Sequence, residues 1–438
     1  MIDHDIRVLG DETHYRAANN VFRRALLNGP ANDEMWEVLL ESYVPGRALG
    51  VFDGDEVIGS AQSFPSSLVV PGGAVLPMGA VSRVGVRADW TRRGVVSALM
   101  RTQLRSLRDM GDVAATLRAT EGGIYGRFGY GVATRGRDLR VNRVKAVPRA
   151  RVEGRVRVRP VSEVGDGEEL RALFEEIRGG GRGGGSGEGR GEGRGEGGRP
   201  GVIGRWDGWW SMHLKREKEK DPQVVVATGP DGVDDGFAMY RVERSHTEKS
   251  ELTVLDLWAG TPRAWADLWR YLLGVDLVDE VVAHLRPLDE PVELLLVDPR
   301  GCRWESTSDE TWLRLIDVEE ALGRREYAAG VGVGGGGDEL AVVLGVRDSL
   351  LPENAGSYRV SRGGVERVED APEVVLDVAE LAAVYLGDVS FAALAAAGRV
   401  EVVGAGVGAV GAVGGAGAVE RADRLFAVGE VAWAGTYF

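Results

Sequence analysis

Residues 81–101, VSRVGVRADWTRRGVVSALMR, constrain the fold more than any other stretch of this 438-residue chain. Val84 and Val86 alternate with Gly85 and Arg87 at the two-residue period of a strand, one with an open or splayed edge. Residues 89–93 then make a short turn that carries Arg92 and Arg93 and leads into Gly94. Beyond the glycine, Val96, Leu99, Met100, Leu104 and Leu107 recur at helical spacing, which predicts a helix with one apolar face. A helix N-terminus presents unpaired backbone N–H groups and a partial positive charge, and the two arginines sit at its mouth. The segment therefore reads as an anion cradle suited to a pyrophosphate. The plainer reading, a surface turn with two solvated arginines, is countered by the glycine-bearing strand before it and the well-formed helix after it.

Size and charge limit what surrounds this cradle. The length allows two to four domains, and 44% hydrophobic with 27% charged residues is ordinary for a soluble globular protein. A formal net charge of -14 argues against nucleic acid as a partner and is compatible with a cationic one. The single cysteine, Cys302, excludes an intrachain disulfide and reads as an inert structural thiol. The start, MIDHDIRVLGDE, is too charged for a secretory signal, so a cytoplasmic location is expected. Residues 402–419 lack charge over about the length needed to cross a bilayer. They are built from Gly, Ala and Val, however, and read as a low-complexity loop or hairpin without a membrane span.

Composition divides the chain into three regions: 1–150, 151–305 and 306–438. In the first, residues 48–52 and 56–63 flank the turn Asp53-Gly54-Asp55 as a hairpin would. Residues 75–86 extend the sheet, with Pro77 confining their start to an edge or bulge. Residues 113–119 read as a further strand, followed by a basic stretch around 140–159. A Gly/Arg/Glu run at 179–199 cannot bury enough apolar area to fold and reads as a disordered insertion. The second region echoes the first. VVVATGPDGVDDGFAMYRV reads as strand, turn and strand; LTVLDLWAG then leads into an N-cap at Thr261 and a helix starting at Pro262. This repeats the strand–turn–helix order without its arginines, as an internal duplication that has lost the anion cradle would. In the third region TWLRLI reads as a strand, Asp317 and Glu320 as a capping box, and DVAELAAVYLG and SFAALAAAGRV as helices around strands ELAVVLGV and VLDV. Residues 330–335 match G-x-G-x-x-G, but they precede a strand where a dinucleotide fingerprint would open a helix.

The chemistry is narrowed further by absences. Five scattered histidines and no cysteine cluster argue against a metal, and neither a G-x-S-x-G elbow nor a GxxxxGK[ST] loop occurs. What remains beside the cradle is residues 120–130, TEGGIYGRFGY, whose glycines permit close backbone approach to a ligand. Tyr125 and Tyr130 add hydroxyls, with Tyr130 read as a structural residue of the turn.

Here the residues support a resemblance. VGVRADWTRRGVVSALMR resembles the acetyl-CoA signature of GNAT-superfamily N-acetyltransferases, and TEGGIYGRFGYGVAT the matching segment of the enhanced intracellular survival (Eis) family. WLRLIDVEEALGRREY, VYLGDVSFAALAAAGRV and the terminal TYF resemble that family's carrier-protein-like domain. The resemblance implies an α/β (α+β) protein with two tandem GNAT folds, the first active and the second degenerate, then a sterol-carrier-protein-like α/β domain. It implies acetyl-CoA as co-substrate, no metal, and a homo-oligomer that is hexameric in characterised members. Carried over by position, it places Val84, Gly85 and Val86 against the pantetheine and thioester. Arg92, Arg93, Gly94, Val95, Val96 and Ser97 fall on the pyrophosphate, and Thr120 and Glu121 on a further coenzyme contact. Tyr125 matches the general acid and the terminal carboxylate of Phe438 the general base, while Trp36 matches an aromatic of the acceptor cleft.

The chain also departs from the family pattern. Thr91 stands where Arg or Gln usually opens the turn, Val96 where Gly or Ala is common, and Tyr437 where an acidic residue precedes the terminus. Residues 23–28 hold no carboxylate at the amine pocket, although Glu37 and Glu41 lie nearby in sequence. The expected activity is acetyl transfer to a primary amine: an aminoglycoside-like amino sugar, a polyamine or a lysine. The alternative is a non-catalytic acyl-CoA or lipid-binding protein centred on the carrier-like domain.

Overall fold

The computed structural model describes residues 4–164, 167–179, 198–218, 222–245, 247, 249–328, 340–403 and 415–438. Residues 180–197 of the Gly/Arg/Glu run, the G-x-G-x-x-G at 330–335 and residues 404–414 of the uncharged segment lie outside these. The chain forms two compact units. One comprises Met1–Thr134, Thr311–Glu430 and Phe438; the other comprises Arg135–Glu310 and Val431–Tyr437.

The first unit opens with β1 (Asp5–Val8), α1 (Glu12–Ala25), α2 (Asp33–Leu40), β2 (Ala48–Asp53), β3 (Glu56–Val69), β4 (Val75–Val86), α3 (Val95–Asp109) and β5 (Ala114–Leu117). Strands β1 to β4 pair antiparallel in sequence order, and β5 joins β4 in parallel. The hairpin turn at residues 53–55 and the strand from Val75 follow the sequence expectation; β3 runs on past Ser63 and takes Pro65 within it. The helices α1 and α2 are not apparent in the apolar pattern, because α1 buries only Tyr15, Ala18 and Asn19. Polar caps mark them instead: Asp11 accepts from the His14 amide at 3.0 Å and Asn32 from the Met35 amide at 2.9 Å. Helices α1 and α3 cover opposite faces of the sheet. A methyl at Gly85 would meet Phe22 and Ala25 of α1, while one at Gly59, which pairs with the next residue, Val86, would meet Val95 and Leu99 of α3.

The second unit contains β6 (Gly131–Asn142, from Arg135 onward), β7 (Arg155–Pro160), α4 (Glu168–Arg178), α5 (Asp207–Lys218), β8 (Gln223–Thr228), β9 (Asp234–Glu243), β10 (Glu251–Ala259), α6 (Pro262–Gly274), β11 (Glu280–Arg286) and β12 (Cys302–Leu315, as far as Glu310). It repeats the plan of the first: β7 to β10 pair antiparallel, α6 follows, and β11 pairs with β10 in parallel. The basic stretch beginning near Arg140 is half strand, and its charge is met locally. Arg140 donates at 2.8 Å to each of Glu251, Glu280 and Glu305. The tryptophans are core, as the sequence suggested: Trp258 and Trp269 are fully buried, and Arg205, ion-paired with Asp256 at 2.8 Å, lies 3.9 Å from the Trp209 ring. Cys302 is buried, which pushes its thiol up to about 12 and keeps it inert.

The remainder of the first unit begins with residues 312–315 of β12, antiparallel to β5. Then come α7 (Val318–Arg324), β13 (Ala341–Arg347), β14 (Gly356–Ser361), β15 (Gly364–Val368), β16 (Val374–Asp377), α8 (Val378–Tyr385), α9 (Phe391–Ala396), β17 (Glu401–Val402) and α10 (Gly415–Phe426). Asp317 caps α7 through the Glu320 amide at 3.0 Å, as its spacing predicts. The strands form a sheet in the order β15-β14-β13-β16-β17. Residues 415–419, read above as loop or hairpin, instead open α10. Burial of Ala418, Ala422, Leu425 and Phe426 along one face outweighs the poor helix propensity of its glycines. Among the described residues no helix is long and apolar enough to cross a membrane.

Two contacts bind the parts of this unit. Arg314 of β12 is fully buried against Asp348, at 2.7 and 2.9 Å. Gly131 runs so close to α8 that a methyl there would lie 2.0 Å from the Ala379 carbonyl oxygen. Gly131→Ala is therefore expected to force the strand off the helix and cost about 3 kcal/mol, at the upper end for overpacking. Denaturant unfolding measures it; an unchanged midpoint would show that the two can separate freely.

Candidate active site

The geometry of strand β4 creates the site. Its parallel pairing with β5 covers only Met78–Ala80 against Ala114–Thr116, although β4 continues to Val86. On its other side the pairing with β3 shifts between Ser60↔Gly85 and Gln62↔Ser82, so one β3 residue faces two on β4. This bulge falls at Arg83, whose φ of 52° is unusual for a residue with a side chain. Past the bulge, residues 82–86 have no ladder partner on the β5 side. Their outward amides and carbonyls border a gap between strands that have parted, the splayed edge expected from the sequence.

Helix α3 begins at the far end of that strand. Gly94 caps it with φ 84° and no side-chain hydrogen bond, and its carbonyl accepts from the Ala98 amide at 3.0 Å. The amides of Val95, Val96 and Ser97 thus precede the first intrahelical bond with no side-chain acceptor, and Gly94 supplies a left-handed turn that residues with a Cβ rarely adopt. Arg92 is likewise left-handed at φ 60°. Both arginines are exposed, Arg93 lying 4.9 Å from the Trp90 ring while its carbonyl meets the His4 imidazole at 3.1 Å. These are the materials of an anion site: open amides, a helix dipole and two guanidinium groups. The side chains of Val86 and Val95 are buried in the core, so these two offer a ligand only their backbone.

The loop after β5 closes the third side. Thr120 and Glu121 are exposed, and the chain turns at residues 121–125 to bury Tyr125. Tyr125 shares one apolar cluster with Val84, Val96, Leu117 and Tyr130, so strand edge, helix start and loop converge there. Burial pushes the Tyr125 phenol up, and the nearby Glu121 carboxylate adds to the shift. Among the described residues no hydrogen bond engages its hydroxyl. Tyr130 stands edge-on to it, ring centres 6.0 Å apart, and is fully buried, in keeping with a structural role.

The second copy parts its strands in the same way: β10 pairs with β11 only at Glu251–Val254, although it continues to Ala259 past a register shift between Val254 and Asp256. Its helix start differs: Thr261 caps α6 through the Ala264 amide at 3.1 Å, and Pro262 has no amide hydrogen to offer. Beside it a cavity of about 390 Å³ is lined by Glu176, Asp231, Asp234 and Asp235 with Arg263. Carboxylates at that place disfavour a phosphate, which agrees with the sequence reading of a lost cradle.

Trp36 departs from expectation. Its ring is only 3% exposed, packed with Tyr15, Ala18 and Phe52, and its indole donates to Glu12 at 2.9 Å. It is a core residue of α2, and the amphipathic packing of α1 and α2, invisible in the sequence, is the reason. Sequence reasoning also missed the fastening of the C-terminal tail within the second unit. Buried Glu310 accepts from the Ala434 and Gly435 amides at 2.9 and 3.0 Å. Thr436 donates to the Ile203 carbonyl at 3.1 Å, and the Trp209 indole to the Tyr437 carbonyl at 2.6 Å. These bonds hold the chain through Tyr437 within the second unit. Glu310 stands in a strand with Arg303, Glu305, Asp309 and Arg314, so its charge gave no signal of this role in the sequence.

Comparison with known proteins agrees with this architecture. Residues 5–133 and 201–315 each match an acetyltransferase (GNAT) domain, and residues 318–435 a sterol carrier protein domain. An uncharacterized N-acetyltransferase of Streptomyces avermitilis is 35% identical over 381 residues, covering 84% of this chain and 85% of the relative. The N-acetyltransferase Eis of Mycobacterium tuberculosis is 34% identical over 383 residues, covering 85% of this chain and 86% of its own. The crystal structure of Eis1 from Mycobacterium abscessus superposes with a TM-score of 0.82 at 34% identity, covering 100% of both chains. Two GNAT folds and a sterol-carrier-like domain in this order, with relatives matched over most of their length, make the chain a member of the Eis family of GNAT acetyltransferases.

Proposed function

We propose that the chain moves the acetyl group of acetyl-CoA to a primary amine by direct attack, with Tyr125 as general acid and the Phe438 carboxylate as general base. One observation carries the reading: the unengaged Tyr125 hydroxyl stands in the cluster where the free edge of β4 meets the uncapped start of α3. The co-substrate supplies an activated thioester. Its pyrophosphate fits the amides of Val95, Val96 and Ser97 with Arg92 and Arg93, while Val84, Gly85 and Val86 border the thioester and Thr120 and Glu121 a further coenzyme contact. Backbone N–H groups along β4 stabilise charge on the carbonyl oxygen, as an oxyanion hole does.

In the transfer the amine nitrogen bonds to the carbonyl carbon and the carbon–sulfur bond breaks. The Phe438 carboxylate takes the amine proton, directly or through water, and Tyr125 protonates the departing sulfur. A terminal carboxylate of reference pKa about 3.3–3.7 is ionised at neutral pH, whereas the raised phenol of Tyr125 stays protonated. The family resemblance further suggests a homohexamer in the cytoplasm. Aminoglycosides, polyamines and lysine are the candidate acceptors.

Four measurements test this. Tyr125→Phe, or deletion of Phe438, is expected to lower kcat about a hundredfold or more with coenzyme binding nearly intact. Because Tyr125 acts protonated and its pKa is raised, the alkaline fall of the wild-type rate should lie above about pH 10. Full activity in both variants sinks the assignment, and failure of every aminoglycoside, polyamine and lysine acceptor to release thiol from acetyl-CoA favours an acyl-CoA or lipid binder. Arg92→Ala and Arg93→Ala should each raise KM for acetyl-CoA about tenfold with little change in kcat, the loss of one charge-assisted contact. An unchanged KM would return these arginines to the role of solvated surface groups. Sedimentation equilibrium should give the mass of six chains; a monomer would refute the assembly.

A further inference from the structure

Arg83, at the bulge of β4, is an anomaly among the buried arginines. Its side chain turns inward and the residue is 7% exposed. Nη1 donates to Gln62 Oε1 at 2.7 Å, and the guanidinium carbon lies 5.0 Å from the Tyr43 ring and 5.6 Å from that of Phe64. Gln62 is committed elsewhere as well, to the Ser42 carbonyl, and the Tyr43 hydroxyl to the Tyr15 carbonyl. No carboxylate pairs with Arg83 among the described residues. The comparable arginines all have compensation: Arg205 has Asp256, Arg286 has Glu290, Arg314 has Asp348, and Arg325 donates to four backbone carbonyls. Burial pulls the Arg83 guanidinium below its ordinary pKa, with Tyr43 alone opposing the shift.

A cation removed from water without a counter-ion is costly, and a protein that keeps one has a partner for it or a use. Arg83 immediately precedes Val84, so its backbone is about 3.8 Å from the strand edge that borders the thioester. It points to the α1 and α2 side of the sheet, where Tyr15 and Tyr43 stack at 4.5 Å, away from α3 and the coenzyme's pyrophosphate. Gln62 and the Tyr43 phenol are the polar side chains against the guanidinium, and the residue keeps 7% of its surface exposed. A carboxylate arriving there would meet a planar fork of N–H groups whose internal partners are all neutral. A second ammonium group would meet an uncompensated positive charge.

We propose that Arg83 reads a carboxylate on the acceptor, so that the acceptor class is an aminocarboxylate, an amine joined by a short chain to a carboxylate, and not a polycation. The inference rests on the acetyl-transfer reading for its amine but concerns only what the other end of the acceptor carries.

The test compares acceptors matched in length: glycine, β-alanine, 4-aminobutanoate and lysine, each beside the alkylamine and the diamine of the same chain. At least one aminocarboxylate should exceed both of its partners tenfold or more in kcat/KM. That advantage should collapse in Arg83→Gln and be partly kept in Arg83→Lys, with folding checked by circular dichroism and retention of coenzyme A. In parallel, thermal stabilisation of the coenzyme A complex by the same ligands is measured without turnover. It should favour the aminocarboxylate in the wild type and lose that preference in Arg83→Gln. A wild-type preference for diamines overturns the proposal whether or not the variants fold, and so does an aminocarboxylate advantage that survives Arg83→Gln. If no amine is acetylated, the acetyl-transfer reading fails by itself, and the stabilisation series still decides for or against Arg83.

Discussion

The site depends on a backbone constraint: β4 holds β5 by pairing at Met78–Ala80 and then parts from it. A parallel pair that continued to Val86 would satisfy every amide along β4 and leave nothing to meet a thioester. The bulge at Arg83 is the local cause, because an extra residue on one strand bends it and increases its twist. Gly85 then allows α1 to lie directly on the strand, its position filled by Phe22 and Ala25 where a side chain would otherwise stand. The opening, the left-handed turn at Gly94 and the bare start of α3 follow in order along one stretch of chain.

The second copy shows that the fold does not by itself confer the site. Its strands, parallel partner and following helix match the first, yet Thr261 takes the Ala264 amide of α6, Pro262 offers none, and carboxylates line the space beside them. One hydroxyl at an N-cap and a few acids separate an open anion cradle from a closed one. This second unit contributes rigidity instead. It fastens the C-terminal tail through Glu310, Thr436 and Trp209.

The sequence made a large part of this legible where the physics is local. The hairpin about residues 53–55, strand β4, helix α3 and the caps at Thr261 and Asp317 depend on neighbours a few residues away, and they stand where their periodicity and capping chemistry place them. Helices α1 and α2 escaped because their apolar faces are sparse, and the start of α10 because its glycines resemble a loop until Ala418 and Ala422 find a core. Trp36 was misplaced for the same reason: its partners Tyr15 and Glu12 come from another helix. Arg83 was visible as a charge within a strand, but nothing in the sequence indicated that it would be buried without an acid.

By itself the sequence determined the strand–turn–helix that forms the anion cradle, the duplication of that plan, the loss of its arginines in the second copy and the membership of Tyr125 in a glycine-rich loop. These follow from side chains and turns acting over one or two elements. Only the tertiary structure decided that β4 and β5 separate, that Val84, Val96 and Tyr125 share one cluster, and that Glu310 grips a tail more than a hundred residues away. Those outcomes depend on which distant groups are left after each strand and helix has satisfied its own hydrogen bonds, a quantity that three-dimensional packing sets and local sequence does not.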